Sequence, residues 1–215
     1  MSNIKPNRYL IPATNHTVRE EIKRSRFITN VGYAPTLDEA RAFIQKIRQK
    51  HNNASHNCWA YVVGKPGNTG QVGLSDDGEP HGTAGRPMLT VLLHSGVGDI
   101  CAVVTRYFGG TLLGKGGLVK AYSGGVKLAV ESLPTIERVP KAELLAVVDY
   151  SSVTPIQRML PDYETEVLDE EYGVDVTYHI KLPLEQIQPL TDALLDLNNG
   201  KAEVEIIAQD EELPL

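Results

Sequence analysis

The residues best suited to chemistry lie in a glycine-rich segment at residues 109–117. The spacing of Gly109, Gly114 and Lys115 reproduces most of the phosphate-binding pattern G-x-x-x-x-G-K-[ST]. Glycine lets a backbone approach an anion closely, and a helix N-terminus offers it free N–H groups. The last position is Gly116, so the hydroxyl that ligates Mg²⁺ in nucleotide hydrolases is missing. A close-packed glycine turn therefore explains the segment better than nucleotide hydrolysis, and phosphate binding without hydrolysis stays open.

A second candidate is the polar loop at residues 75–87. It carries Asp76, Asp77, Glu79 and His81, followed by Arg86. Three carboxylates and a histidine could serve acid–base or metal chemistry. The same groups could instead cap backbone N–H groups and pair with arginine in a structured surface loop. The pattern leaves the two interpretations open. In either case we expect these three acidic side chains and the histidine to shape the loop that faces the glycines.

Basic and aromatic residues are interleaved in the first 140 residues. Cations contact phosphates and exposed aromatic faces stack on unpaired bases, although a solvated surface over an aromatic core is the alternative, which we prefer for Trp59 and Tyr122. We predict phosphate contacts from Arg86, Arg106 and Lys115. The glycines predicted to permit close backbone approach are Gly109, Gly110, Gly114, Gly116 and Gly117.

The elements that position these residues are predicted from hydrophobic spacing. Strands are expected at residues 26–34, 57–64 and 100–104, the last leading into the glycine-rich segment and a helix at 118–133. Thr36 and Glu39 form a capping box that starts another helix. Residues 87–94 are short and apolar, so periodicity does not separate helix from strand. Further on, the pattern predicts strands at 144–150, 163–168, 174–182 and 202–208, with helices after Val153 and from Pro183.

Charge and glycine content divide the chain. The first 140 residues carry 17 Lys and Arg and 10 Asp and Glu, a net charge of +7, whereas the last 75 carry 4 and 17, a net charge of −13. Seventeen of the 19 glycines lie in the first part. We therefore predict an α+β protein with two domains: a basic, glycine-rich domain at 1–135 and an acidic βαββαβ, ferredoxin-like domain at 141–208. A linker at 134–140, between two prolines, joins them, and a loose tail follows at 209–215.

Composition excludes several classes of protein. No apolar run reaches the ~20 residues of a membrane helix, and the N-terminus lacks the apolar core of a signal peptide. Two cysteines are too few for a disulfide framework, so we expect a cytoplasmic protein. A zinc set could be drawn from His56, Cys58, His81 and Cys101, but its spacing matches no zinc pattern. We predict no metal and no cofactor.

Three motifs resemble the signatures of the IMPACT family. They are the sequence SHNCWA at residues 55–60, DDGEPxGTAGxP at 76–87, and VTRYFGGxxLGxGGL at 104–118. The resemblance implies a first domain like domain 2 of ribosomal protein number five of the small subunit. It implies a second domain like domains III and V of elongation factor G. Eukaryotic relatives act in translation control, where they bind a scaffold protein and restrain a kinase of an initiation factor. The resemblance implies no catalytic residue.

The sequence therefore predicts a translation-associated regulator. Its first domain would bind RNA or a ribosome-associated partner through a basic, glycine-rich cleft. A nucleotide-dependent phosphotransferase or hydrolase at the same cleft, with Asp77 or His81 as base, is the first alternative, and a pure protein-binding regulator is the second. With a net charge of −13, the second domain is not expected to be the main RNA contact. It would shield the basic domain or bind a protein.

Overall fold

The computed structural model describes residues 8–209. They form two compact units, residues 9–138 and residues 139–209 with Arg8, so the chain is an α+β protein of two domains. The division falls within the predicted linker. The predicted tail at 209–215 lies outside the described residues except for Gln209. Within residues 8–209, every helix is too short or too polar to cross a bilayer.

The first unit is built on a five-stranded antiparallel sheet. In chain order, its elements are β1 (Tyr9–Pro12), β2 (His16–Ile22), β3 (Ser25–Tyr33), α1 (Leu37–Lys50), β4 (His56–Val62), β5 (Val72–Ser75), α2 (Gly85–Leu93), β6 (Ile100–Tyr107), α3 (Lys115–Glu131) and β7 (Thr135–Arg138). The strand order is β2-β3-β6-β4-β5. The central strand, β6, pairs with β3 on one side and β4 on the other.

Helices cover both faces of this sheet. Successive side chains of a strand point to opposite faces, so Cys101 and Val103 of β6 pack with α1, whereas Ala102 and Val104 pack with α2 and α3. A strand buried on both faces appears in the sequence as a continuous apolar run. This is why β6 could be predicted at residues 100–104, and the observed strand extends three residues further, to Tyr107.

The helix boundaries follow local signals. The Thr36 side chain accepts a hydrogen bond from the Glu39 N–H at 3.2 Å, so the predicted cap of α1 is confirmed. The ambiguous stretch at 87–94 is helical and belongs to α2. Helix α3 begins at Lys115, three residues before the predicted start, because Gly114 adopts a φ of +74° and turns the chain into the helix ahead of Gly116.

The segment predicted as a linker, 134–140, contains strand β7. This strand pairs antiparallel with β1, with Ile136 opposite Ile11. Buried Asp99 holds both strands, accepting hydrogen bonds from the Tyr9 hydroxyl at 2.9 Å and from Arg138 Nη1 at 2.6 Å. Prolines can flank a short edge strand without interrupting its hydrogen bonds, so a strand fits between Pro134 and Pro140.

The second unit has the predicted order of strands and helices. Its elements are β8 (Lys141–Val148), α4 (Val153–Met159), β9 (Glu166–Tyr172), β10 (Val176–Pro183), α5 (Ile187–Leu197) and β11 (Glu203–Gln209), and the antiparallel sheet order is β11-β8-β10-β9. Both helices pack on one face of this sheet, around a core that includes Leu144, Ile180 and Leu190.

Two boundaries in this unit differ from the prediction. A 3₁₀ turn at Leu160–Tyr163 and a positive φ at Glu164 delay β9, which then continues through Tyr172 because β10 supplies its backbone partners. Pro183 ends β10 instead of opening a helix, and α5 starts at Ile187 after a 3₁₀ turn at Leu184–Gln186.

Candidate functional site

The two segments identified from the sequence line one cavity of about 430 Å³ in the first unit. The polar loop contributes Gly78, Glu79 and Pro80, and the glycine-rich segment contributes residues 112–115. The remaining lining residues are His56, Arg106, Phe108 and Leu118. His56 on β4 lies directly opposite Arg106 on β6 in the antiparallel register, so these two strands bring both side chains to the cavity.

The N-terminus of α3 borders this cavity. Gly114 is its N-cap residue, and no side chain in the described part of the chain accepts a hydrogen bond from the first turn. Lys115 is exposed, and no carboxylate of residues 8–209 lies within 4 Å of its ammonium group. A Cβ built on Gly116 meets no atom within 4 Å. An anion could therefore reach free N–H groups at the positive end of the helix dipole and a lysine beside them.

Arg106 lines the cavity but is almost completely buried, and its charge is already matched. Its Nη1 donates to Glu79 Oε1 at 2.7 Å, and the two side chains are only 6% and 3% exposed. The Tyr122 hydroxyl donates to the same oxygen at 2.7 Å. Arg106 Nε is buried and has no hydrogen-bond partner in the described part of the chain. In this state Arg106 supports the cavity from beneath, and Glu79 competes with any phosphate for it.

The two aspartates of the polar loop are engaged in holding it. Asp76 accepts hydrogen bonds from the N–H groups of Gly82, Ala84 and Gly85 at 2.8–3.0 Å, which closes the loop onto the start of α2. Desolvation by partial burial disfavours its charge, but these three donors outweigh it, and the pKa of Asp76 is lowered. The carboxylate is therefore a structural acceptor at neutral pH.

Asp77 is held just as firmly. Its carboxylate pairs with Arg48 of α1 and accepts from the Asn57 N–H at 2.6 Å. A general base needs an accessible oxygen, and both oxygens of Asp77 already have partners. His81 is fully exposed, with Nδ1 3.8 Å from Asp76 Oδ2. Neither Asp77 nor His81 is among the residues that line the cavity.

His56 is the functional candidate that the sequence did not single out. Its Nδ1 lies 2.8 Å from the carbonyl oxygen of Asp77, so Nδ1 carries a proton and Nε2 of the neutral ring is an acceptor. Nε2 is 3.9 Å from Glu79 Oε1, and the ring lines the cavity. In the sequence His56 appeared in the rejected zinc set and within the motif SHNCWA, but no role was assigned to it, because its position opposite Arg106 depends on strand register.

The cysteines of that set do not form a reactive site. Both are free and buried. The Cys58 thiol donates to the carbonyl of Asp76 at 2.9 Å, and burial raises its pKa to about 12. Among residues 8–209, no three His, Cys, Asp or Glu side chains are grouped so that they could hold a metal ion.

The glycines serve different purposes. A Cβ on Gly109 would lie 1.9 Å from the carbonyl oxygen of Arg24, so this position requires glycine for close packing. Gly110 has a φ of +81°, which disfavours a side chain whatever the space. A Cβ on Gly117 would be 3.1 Å from Leu113. Two glycines of the segment, Gly116 and Gly117, lie inside α3. Of these two, only Gly116 leaves open space beside the helix N-terminus.

Apolar groups stand at the cavity mouth. Phe108 is 50% exposed and Leu112 is 81% exposed. The Arg106 guanidinium lies 5.4 Å from the Phe108 ring centroid. Arg86 is exposed in the first turn of α2 and is not among the lining residues. Of the three cations predicted as phosphate contacts, the structure therefore places one, Lys115, openly at the cavity.

Comparison with known proteins covers most of the chain. The family described as the Impact N-terminal domain matches residues 23–130, and a domain of unknown function, DUF1949, matches residues 147–201. The chain is 43% identical to IMPACT family member YigZ of Escherichia coli K12 over 91% of its own length and 96% of that protein. It is 40% identical to an IMPACT family member of Haemophilus influenzae, over 93% and 97% of the two chains.

Similarity extends to a solved structure of a hypothetical protein. The two chains are 41% identical and superpose with a TM-score of 0.67. The match covers 97% of this chain and 100% of that one. Both sequence relatives span both units, and the family match includes the polar loop, the glycine-rich segment and His56. On these grounds, the chain belongs to the IMPACT family.

Proposed function

We propose that the protein is a cytoplasmic, translation-associated regulator whose first unit binds single-stranded RNA. One observation carries the proposal: within residues 8–209, a lysine with no carboxylate in reach and a helix N-terminus with no side-chain cap border the same cavity as an exposed aromatic ring. Phosphates bind the first two features and an unstacked base binds the third. A cavity of about 430 Å³ lies within the range that holds small ligands, which suits one nucleotide of a longer strand.

In this proposal the predicted contacts take different roles. Lys115 and the N–H groups of Gly116 and Gly117 contact the phosphate directly. Arg106 adds positive potential from below while Glu79 holds it. Arg86 lies outside the cavity and meets the ligand only if the strand continues past α2. The acidic second unit repels phosphates and serves a protein contact instead.

The translational role follows from the fold class that we propose for each unit. We assign the first unit to the class of domain 2 of ribosomal protein number five of the small subunit. We assign the second unit to the ferredoxin-like class of elongation factor G domains III and V, in line with its βαββαβ order and its β11-β8-β10-β9 sheet. Fold likeness alone does not give function, so the binding experiment carries the test.

The experiment measures binding of a fluorescein-labelled single-stranded RNA by anisotropy at several salt concentrations. Lys115→Ala is expected to weaken binding about two- to fivefold, the range for one exposed ion pair. The slope of log K against log salt should fall by about 0.7, the value for one phosphate of a single strand. Lys127→Ala, in the same helix and three turns away, is the matched control. Equal behaviour of the two variants contradicts the proposed site.

A catalytic alternative is supported by His56. Its fixed tautomer leaves Nε2 as a proton acceptor facing the cavity, where Asp77 and His81 do not reach. The reaction would be a nucleotide-dependent phosphoryl transfer or hydrolysis, with His56 as base and Lys115 on the phosphate. Calorimetry with nucleoside triphosphates and turnover by His56→Gln test it. Heat of nucleotide binding, together with turnover that is lost in the variant, favours the catalytic alternative. If no nucleotide gives heat of binding, the RNA-binding proposal stands instead.

A further inference from the structure

The hairpin between β2 and β3 ends in a turn with two basic residues. Ile22 and Ser25 are paired, so Lys23 and Arg24 form a two-residue connection, with φ values of 47° and 66°. Hairpin turns with two positive φ values strongly prefer Asn-Gly, because other side chains are strained there. Lysine and arginine are therefore not explained by the backbone of this turn. Two exposed cations at a strained position suggest that their charge is needed.

The turn touches the glycine-rich segment directly. Gly109 packs so closely on the Arg24 carbonyl that a Cβ would stand 1.9 Å from it. The Gly109 N–H donates to Ser25 Oγ at 3.2 Å, and Arg106 Nη2 lies 3.4 Å from the same oxygen. Gly109 follows Phe108, which lines the cavity. The turn therefore packs against the residue that directly follows Phe108 in the cavity lining.

The charges of the turn are available to a ligand. Lys23, Arg24 and Arg26 are exposed, and within residues 8–209 none has a carboxylate within 4 Å. Glu21 lies opposite Arg26 in the strand register but forms no ion pair with it. The Arg26 guanidinium lies over the Tyr107 ring instead, 4.9 Å from its centroid.

We propose that this turn is a second phosphate-binding site and that the ligand is a single-stranded polynucleotide long enough to reach both the turn and the cavity. The inference rests on the proposed function of the cavity and adds the class and minimum length of its ligand. One phosphate lies at Lys115, a base stacks on the open face of Phe108, and the following phosphates reach Lys23 and Arg24. A mononucleotide uses only the first of these contacts.

The test compares labelled uridine oligonucleotides of two and ten nucleotides. The variant Lys23→Asn/Arg24→Gly removes both charges and supplies the sequence that the turn prefers, so it should unfold at a higher temperature than the parent. We expect decamer binding to weaken at least fivefold, its salt slope to fall by about 1.4 for two phosphates, and dinucleotide binding to stay unchanged. The charge-matched control, Lys46→Asn/Lys127→Asn, should leave both affinities unchanged.

Further arms separate the possible causes. Lys23→Gln/Arg24→Gln keeps the strained backbone and should lose the same affinity, since the loss comes from charge. Decamer binding unchanged in both variants, or dinucleotide and decamer weakened equally, overturns the second site. Lys115→Ala should weaken the binding of both the dinucleotide and the decamer. If it weakens the binding of neither, while the turn variants weaken decamer binding, the cavity proposal fails and the turn site stands. Deoxyuridine decamers distinguish DNA from RNA as the source, and equal affinity for a duplex overturns the single-strand assignment.

Discussion

Replacing Glu79 by glutamine tests whether a buried ion pair supports the cavity. The Glu79 carboxylate accepts from Arg106 Nη1 and from the Tyr122 hydroxyl, both at 2.7 Å, and its side chain is 3% exposed. Glutamine keeps the volume and one acceptor oxygen but removes the charge. Arg106 would then remain buried as an uncompensated cation.

The expected cost follows from that geometry. Removing one partner of a buried ion pair destabilises a protein by about 3–5 kcal/mol. Since both donors reach the same oxygen and the glutamine carbonyl can still accept from both, we expect the low end, about 3 kcal/mol, which is a large share of a typical stability of about 5–15 kcal/mol. Arg106→Met removes the opposite charge and should cost a similar amount. The double variant should be less destabilised than the sum of the two by about 2 kcal/mol, because it leaves no lone charge.

Urea denaturation followed by tryptophan fluorescence provides the measurement. Trp59 is the only tryptophan in the sequence and lies in β4 of the same unit, so the signal reports on this unit. Tyr122→Phe removes one hydrogen bond and keeps both charges, and serves as the control, at about 1.5 kcal/mol. A cost below about 1 kcal/mol for Glu79→Gln, or an additive cycle, would refute the reasoning. The same variant should bind RNA at least as tightly as the parent, since a negative charge leaves the cavity wall.

Three further predictions concern the segments around the cavity. Asp76→Asn should lower the free energy of unfolding by about 1–3 kcal/mol at pH 7, since an amide nitrogen would face N–H groups that now donate to the carboxylate. Because the folded-state pKa of Asp76 is lowered, the stability that its charge contributes is lost as the pH falls below the ordinary value of 3.8. The difference between parent and variant in urea denaturation should therefore shrink at that pH. Gly109→Ala should destabilise by about 1–3 kcal/mol in the same assay through overpacking on Arg24, whereas Gly116→Ala, in open space, should be neutral or slightly stabilising. Cys58 should resist iodoacetamide at pH 8 until urea unfolds the first unit, because burial raises its pKa to about 12; rapid labelling of the native protein, detected by mass spectrometry, would contradict this.

Local patterns predicted much of the fold. The Thr36 cap of α1, the strand β6, the body of α3 and the element order of the second unit all depend on residues a few positions apart, where spacing and capping act directly. Strand β7 could not be predicted in the same way. A four-residue strand is stable only with its partner, and β1 lies more than 100 residues earlier in the chain.

The candidate site was predicted in its segments but not in its chemistry. The sequence shows which residues are charged, and that glycines precede a helix, but it does not show which carboxylate faces which cation. Arg106 is 27 residues from Glu79 in sequence and is 2.7 Å from it in the fold, so its charge is matched by a buried carboxylate and is not open to a ligand. His56 enters the cavity only through its register with Arg106.

What the amino-acid order specifies here is local: helix starts, strand alternation, and the division into a basic and an acidic half. Pairings across the sheet and across loops depend on packing between distant segments, which assigns Glu79 to Arg106, Asp77 to Arg48 and the Lys23–Arg24 turn to Gly109. Because burial decides which charges are matched and which stay open, the fold leaves Lys115 available and conceals Arg106, although the two residues look equally suitable in the sequence.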